Sequence, residues 1–179
     1  MPKILMVTKE PNKKASSLSH DKLFDIAENP FSQFLGRVLL GCEKDYRNHF
    51  NDYNFLWIHA LGSSCHGKES KDGPQAIRNI VGVTEFELIV TFGIEAAEIF
   101  WGALATIDKL ALLMSKGPLS LNYLYGYKKN KKTKIASFPH VSAQAQWVWV
   151  DFSQHFSSNL LVTQEIVKKI IHSQPKSLV

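Results

Sequence analysis

The sequence predicts an α/β domain in three layers (α/β/α), with helices on both faces of a central four-stranded, mainly parallel sheet. Three observations carry that expectation. Short apolar runs at residues 3–8, 55–58, 86–93 and 135–138 have the length of buried strands. Segments with apolar side chains at helical spacing stand between and after them, so strands alternate with helices. The chain has 179 residues, 45% of them hydrophobic, which suffices for one sizeable core and falls short of two ordinary domains. A single domain over residues 1–179 is expected.

The first run, Lys3-Ile4-Leu5-Met6-Val7-Thr8, reads as a buried parallel strand and feeds the turn Lys9-Glu10-Pro11-Asn12-Lys13-Lys14. At a strand's carboxyl end the Glu10 carboxylate, ionised at neutral pH, can activate a water or offset a developing cation; a solvated turn residue is the plainer alternative. Residues 15–30 are polar and fit a short helix or an ordered loop. After Asn29-Pro30, the residues Phe31, Phe34, Leu35, Val38 and Leu39 recur at helical spacing, with Pro30 suited to the first turn. Most of these are core positions. Phe31, at the helix start, is the one placed to face a pocket.

Phe55-Leu56-Trp57-Ile58 is the second strand, and His59 stands at its exit. His59, Cys65 and His66 lack a fourth ligand at a usual zinc spacing, so no metal is assigned. Residues 74–82 form a crossover helix opening at Pro74. Phe86 to Gly93 is the third strand, and Gly93 lets the chain turn into a helix over 94–104. Tyr123, Tyr125 and Tyr127 alternate, so a strand leads into the lysine-rich tip that follows. Ile135 to Phe138 is the fourth central strand. Pro139, having no N–H, stops the pairing and leaves His140 where the chain exits the sheet. Trp147-Val148-Trp149-Val150 fits helix or strand equally. The closing helix turns Leu160, Leu161, Ile166, Val167, Ile170 and Ile171 toward the sheet, with Lys168, Lys169 and His172 near its negative end.

The net charge of +5 is local. Lys128, Lys129, Lys131, Lys132 and Lys134 lie within seven residues, and without them the balance is zero. A basic loop of this kind reaches phosphates, although lysines also keep a hairpin tip soluble. Cys42 and Cys65, the only cysteines, support neither a disulfide framework nor a four-thiolate cluster. No apolar run approaches the ~20 residues that span a bilayer, and the N-terminus starts a strand rather than a signal peptide. A cytoplasmic, monomeric protein without membrane partners is expected.

Right-handed crossovers bring Glu10, His59 and His140 to one carboxyl edge, where open α/β sheets bind ligands. There the His140 imidazole can donate a hydrogen bond to a substrate, and Ser142 offers a hydroxyl and a backbone N–H. A His with a purely structural hydrogen bond is the alternative.

The order of these pieces resembles the uracil-DNA glycosylase superfamily, over nearly the whole chain. Thr8-Lys9-Glu10-Pro11-Asn12 matches its first motif, a strand and a turn such as Gly-Gln-Asp-Pro-Tyr or Gly-Ile-Asn-Pro-Gly. His140-Val141-Ser142 matches its last, His-Pro-Ser. Pro30-Phe31-Ser32 is similar to the segment whose Phe stacks on the flipped base. His59 follows the strand that ends, in the family, in a base-reading Asn. Leu88 to Ala97 is similar to the strand–Gly–helix element, and His155 to Asn159 to the stretch after the last motif. Thr8 stands at the turn's Gly, Glu10 at its Asp or Asn, Val141 at the Pro of the last motif, and Gln144 at the apolar wedge.

The resemblance implies a DNA glycosylase that cleaves the N-glycosidic bond of an extruded deaminated or damaged base in base excision repair, with uracil the expected base. Glu10 and His140 would be catalytic: the carboxylate faces the sugar and the imidazole faces the base carbonyl. Asn12, Phe31 and His59 would bind the base, with Phe31 as stacking platform. Lys13, Ser142, Gln144, Lys128, Lys129, Lys131 and Lys132 would hold the DNA, single- or double-stranded. No cofactor is expected. A non-catalytic relative that keeps the fold and binds nucleic acid or a protein is the rival class. A flavodoxin-like nucleotide-binding protein would share the sheet without the placements of His140 and Phe31.

Overall fold

The computed structural model describes residues 3–9, 39, 55–61, 72–105, 124–126, 133–140 and 146–173. Among the described residues, five strands and three helices follow in chain order: β1 (Ile4–Thr8), β2 (Phe55–His59), α1 (Asp72–Val83), β3 (Leu88–Phe92), α2 (Ile94–Ala105), β4 (Leu124–Gly126), β5 (Lys134–Phe138) and α3 (Gln146–Ser173). The strands lie in the order β2-β1-β3-β5-β4. The first four are parallel, as the apolar runs imply. The tyrosine strand joins as a fifth, antiparallel to β5 at the sheet's edge.

Strand alternation sorts the core into two sets. Leu5, Val7, Ile89 and Ile135 pack on one face with Ile77 and Val81 of α1 and Ala96, Ala97, Phe100, Trp101 and Leu104 of α2. Their even-numbered neighbours Ile4, Met6, Leu88, Val90 and Phe92 point the other way and are equally buried, so both faces are covered. β1 and β3 therefore read as nearly continuous apolar runs.

The helices differ from expectation in detail. Trp147 to Val150 are helical, part of one 28-residue helix. Within α3 the buried line is Thr163, Val167 and Ile170, at helical spacing. Leu161 does not face the sheet: it is 57% exposed, beside the also exposed Val162. The helix face fixed by Val167 and Ile170 places Thr163, rather than Leu161, in the buried row.

Two glycines fix how the helices meet the sheet. A Cβ on Gly73 would lie 2.0 Å from the Ala60 carbonyl oxygen, so only glycine lets α1 start against the chain leaving β2. Gly93 holds φ at 94° and converts the end of β3 into the start of α2. Among the described residues, no helix is long and apolar enough to cross a membrane.

Candidate active site

The parallel register levels the strand ends. Thr8 pairs with His59 on one side and with Phe92 on the other, and Phe92 pairs with Phe138. Backbone bonds carry this order past the strands: the amides of Ala60 and Leu61 donate to the carbonyls of Thr8 (2.7 Å) and Lys9 (3.0 Å), and Gly93 N–H donates to Phe138 O (2.8 Å). The chain leaves β1 for β2 on one side and returns to β3 on the other. The carboxyl ends of β1 and β3 thus flank the point where winding reverses, the usual ligand crevice of such sheets.

On the β2 side of that crevice, three polar groups are joined. Trp57 Nε1–H donates to Thr8 Oγ1 at 2.9 Å, and the same oxygen lies 2.9 Å from His59 Nδ1. The Trp57 and His59 rings are tilted by 49° with centroids 6.1 Å apart. Thr8 and Trp57 are buried, whereas His59 is half-buried at the edge. The Thr8 side chain points toward β2, not into the crevice.

On the β5 side, His140 lies over Gly93: a Cβ placed on that glycine would be 3.4 Å from His140 Cδ2 and 3.5 Å from its Cβ. Lys9, just beyond β1, forms an ion pair with Glu95 in the first turn of α2. The two charges act on His140 in opposite senses. Loss of water around the ring, the largest effect, holds its pKa below 6.5; Glu95 pulls it up and Lys9 pushes it down. His140 keeps open surface all the same. Near neutral pH its imidazole is neutral, with one N–H to donate.

Of the residues expected to form a site, the described chain brings His59 and His140 to one edge. Glu10, Asn12, Lys13, Phe31, Lys128, Lys129, Lys131, Lys132, Ser142 and Gln144 lie outside the described residues, as do Cys42, Cys65 and His66. Three residues not assigned to the site from the sequence join it: Trp57, Lys9 and Glu95. Period-two alternation places Trp57 and His59 on one face of β2, and that was the available signal for Trp57. Comparison with protein-family models, with curated proteins and with solved structures finds no match.

Proposed function

We propose that the chain is a three-layer, uracil-DNA glycosylase-like domain that hydrolyses the N-glycosidic bond of an extruded deaminated base, uracil foremost. The observation that carries this reading is the meeting of His59 and neutral His140 at one carboxyl edge, on either side of the winding reversal. Three interstrand steps of ~4.8 Å set the Cα atoms of His59 and Phe138 roughly 14 Å apart, which leaves space for a base between two imidazoles.

Breaking the bond from sugar carbon to base nitrogen leaves positive charge on the sugar and negative charge on the base. The His140 N–H, donating to a base carbonyl, stabilises the second as it develops. A neutral imidazole suits this role, because it polarises the carbonyl without first having to lose a proton. Glu10 would face the sugar and position the attacking water, whose hydroxide ends on the sugar carbon while a proton goes to the departing base. Phe31 would stack on the base; Asn12 would join His59 at its edge. Lys13, Ser142, Gln144 and the Lys128–Lys132 tip would hold phosphates.

The Thr8 hydroxyl occupies one His59 nitrogen, and this favours a second reading: a non-catalytic relative that binds nucleic acid or a protein. Incubation with oligonucleotides carrying uracil, hypoxanthine or xanthine separates the two. Abasic sites at the deaminated positions and at no others support the glycosylase. Salt-sensitive binding without abasic products supports a nucleic-acid-binding relative, and neither binding nor cleavage overturns the glycosylase and leaves the protein-binding relative.

A further inference from the structure

We infer that Thr8, fixed by Trp57, is a positioning residue that holds His59 in its Nε2–H tautomer, so that His59 presents a donor to the base edge and selects a carbonyl over an amino group. The base-reading half of this inference rests on the glycosylase reading; the tautomer half does not.

Counting protons fixes the tautomer. An indole N–H can only donate, so Thr8 Oγ1 must accept from Trp57. A hydroxyl has one proton and two lone pairs, and one lone pair is now used. Among the described residues the other side-chain partner of Oγ1 is His59 Nδ1, 2.9 Å away. Thr8 is 2% exposed, which leaves little room for water to take the proton. The hydroxyl therefore donates to Nδ1. The opposite assignment, Nδ1–H donating to Oγ1, would strand the hydroxyl proton in a buried site, at a cost typical of an unsatisfied polar group. With Nδ1 accepting, the neutral ring carries its proton on Nε2. The tilted Trp57 ring beside His59 limits rotation of the imidazole out of this arrangement.

The consequence is chemical. An Asn amide offers a donor and an acceptor and can exchange them by flipping. His59 locked in this way offers a donor alone. Deamination replaces an exocyclic amino group, a donor, with a carbonyl, an acceptor, as between cytosine and uracil. A fixed donor pairs with the carbonyl and opposes the amino group, donor against donor. Thr8, standing where the resembled motif has glycine, thereby contributes to specificity without touching the base.

Two readouts on the full chain test this. Long-range proton–nitrogen correlation spectra of isotope-labelled protein report which His59 nitrogen carries hydrogen. The expected result is Nε2–H in wild type, retention in Thr8→Ser, and loss of the single tautomer in Thr8→Val. Trp57→Phe leaves Nδ1 as the acceptor of the hydroxyl proton, so the Nε2–H tautomer should be retained. A wild-type Nδ1–H tautomer, or a Thr8→Val spectrum identical to wild type, overturns the inference. The second readout is binding to single-stranded oligonucleotides carrying one uncleavable uracil or cytosine nucleotide. Thr8→Val should lower the preference for uracil by about tenfold or more, judged from the cost of mispaired buried donors, and Thr8→Ser should restore it. An unchanged preference in Thr8→Val overturns the base-reading half. A wild type with the Nε2–H tautomer and no preference removes the glycosylase reading and leaves the tautomer assignment standing.

Discussion

Replacing Gly93 with Ala tests whether this glycine serves the backbone or makes room for His140. At φ 94° an L side chain is strained, which costs about 1–3 kcal/mol. The contact itself is mild: the new Cβ would lie 3.4 Å from His140 Cδ2 and 3.5 Å from His140 Cβ, ordinary van der Waals spacing. The backbone cost should therefore dominate, giving a loss of about 2 kcal/mol. For a chain of this size that lowers Tm by roughly 4–8 °C. The assay is urea unfolding followed by tryptophan fluorescence for wild type, Gly93→Ala, His140→Ala and the double variant. If strain is the cause, removing the imidazole relieves nothing, and the two losses add within about 0.5 kcal/mol. Recovery of the Gly93→Ala loss in the double variant would show that crowding of His140, not φ, is the reason for glycine.

The remaining predictions concern charge. Because the folded chain protonates His140 only below the ordinary 6.5, the unfolded chain holds more protons between those two pKa values, so stability falls as pH drops through that window. His140→Asn should flatten this acid slope, measured as urea midpoints between about pH 7.5 and 5.5; parallel curves would contradict the burial effect. Glu95→Gln should lower the His140 pKa further and Lys9→Met should raise it, both read by NMR titration, since each charge acts in the stated direction. The stability change from Glu95→Gln should stay within about 1 kcal/mol, because the Glu95 side chain is 61% exposed. Neutralising Lys128, Lys129, Lys131 and Lys132 together should weaken binding to all DNA sequences alike and flatten its salt dependence, each lost phosphate contact releasing fewer counterions. An unchanged salt slope assigns the tip to solubility.

The sheet was legible because its strands are buried on both faces. Ile4–Val7 and Leu88–Phe92 are apolar without alternation, a pattern that few structures besides a covered parallel sheet require. Helix content was less so. Trp147 to Val150 alternate bulky residues as a strand does, and only their continuity with the long helix through Ser173 decides between the two. Leu161 was misplaced because hydropathy ranks it above Thr163, whereas the packing of Val167 and Ile170 sets which row is buried. At the site, Pro139 made the exit of His140 readable from one strand alone. The Trp57–Thr8–His59 chain was not readable, since it depends on the register between strands separated by 46 residues of intervening chain. The effect of Glu95 on His140 likewise arises only once α2 is seated after Gly93.

The central claim is that His140 acts on the departing base and Glu10 on the sugar, and single-turnover cleavage tests it most directly. Wild type, His140→Ala and Glu10→Gln are compared on single-stranded DNA containing uracil, with binding to an uncleavable analogue measured in parallel. The charges these groups oppose exist only as the bond breaks, so both variants should bind nearly as wild type does and cleave more slowly. Removal of the His140 donor should cost on the order of 100-fold in rate or more. A wild type that cleaves uracil-containing DNA, together with variants that match its rate, would contradict the account.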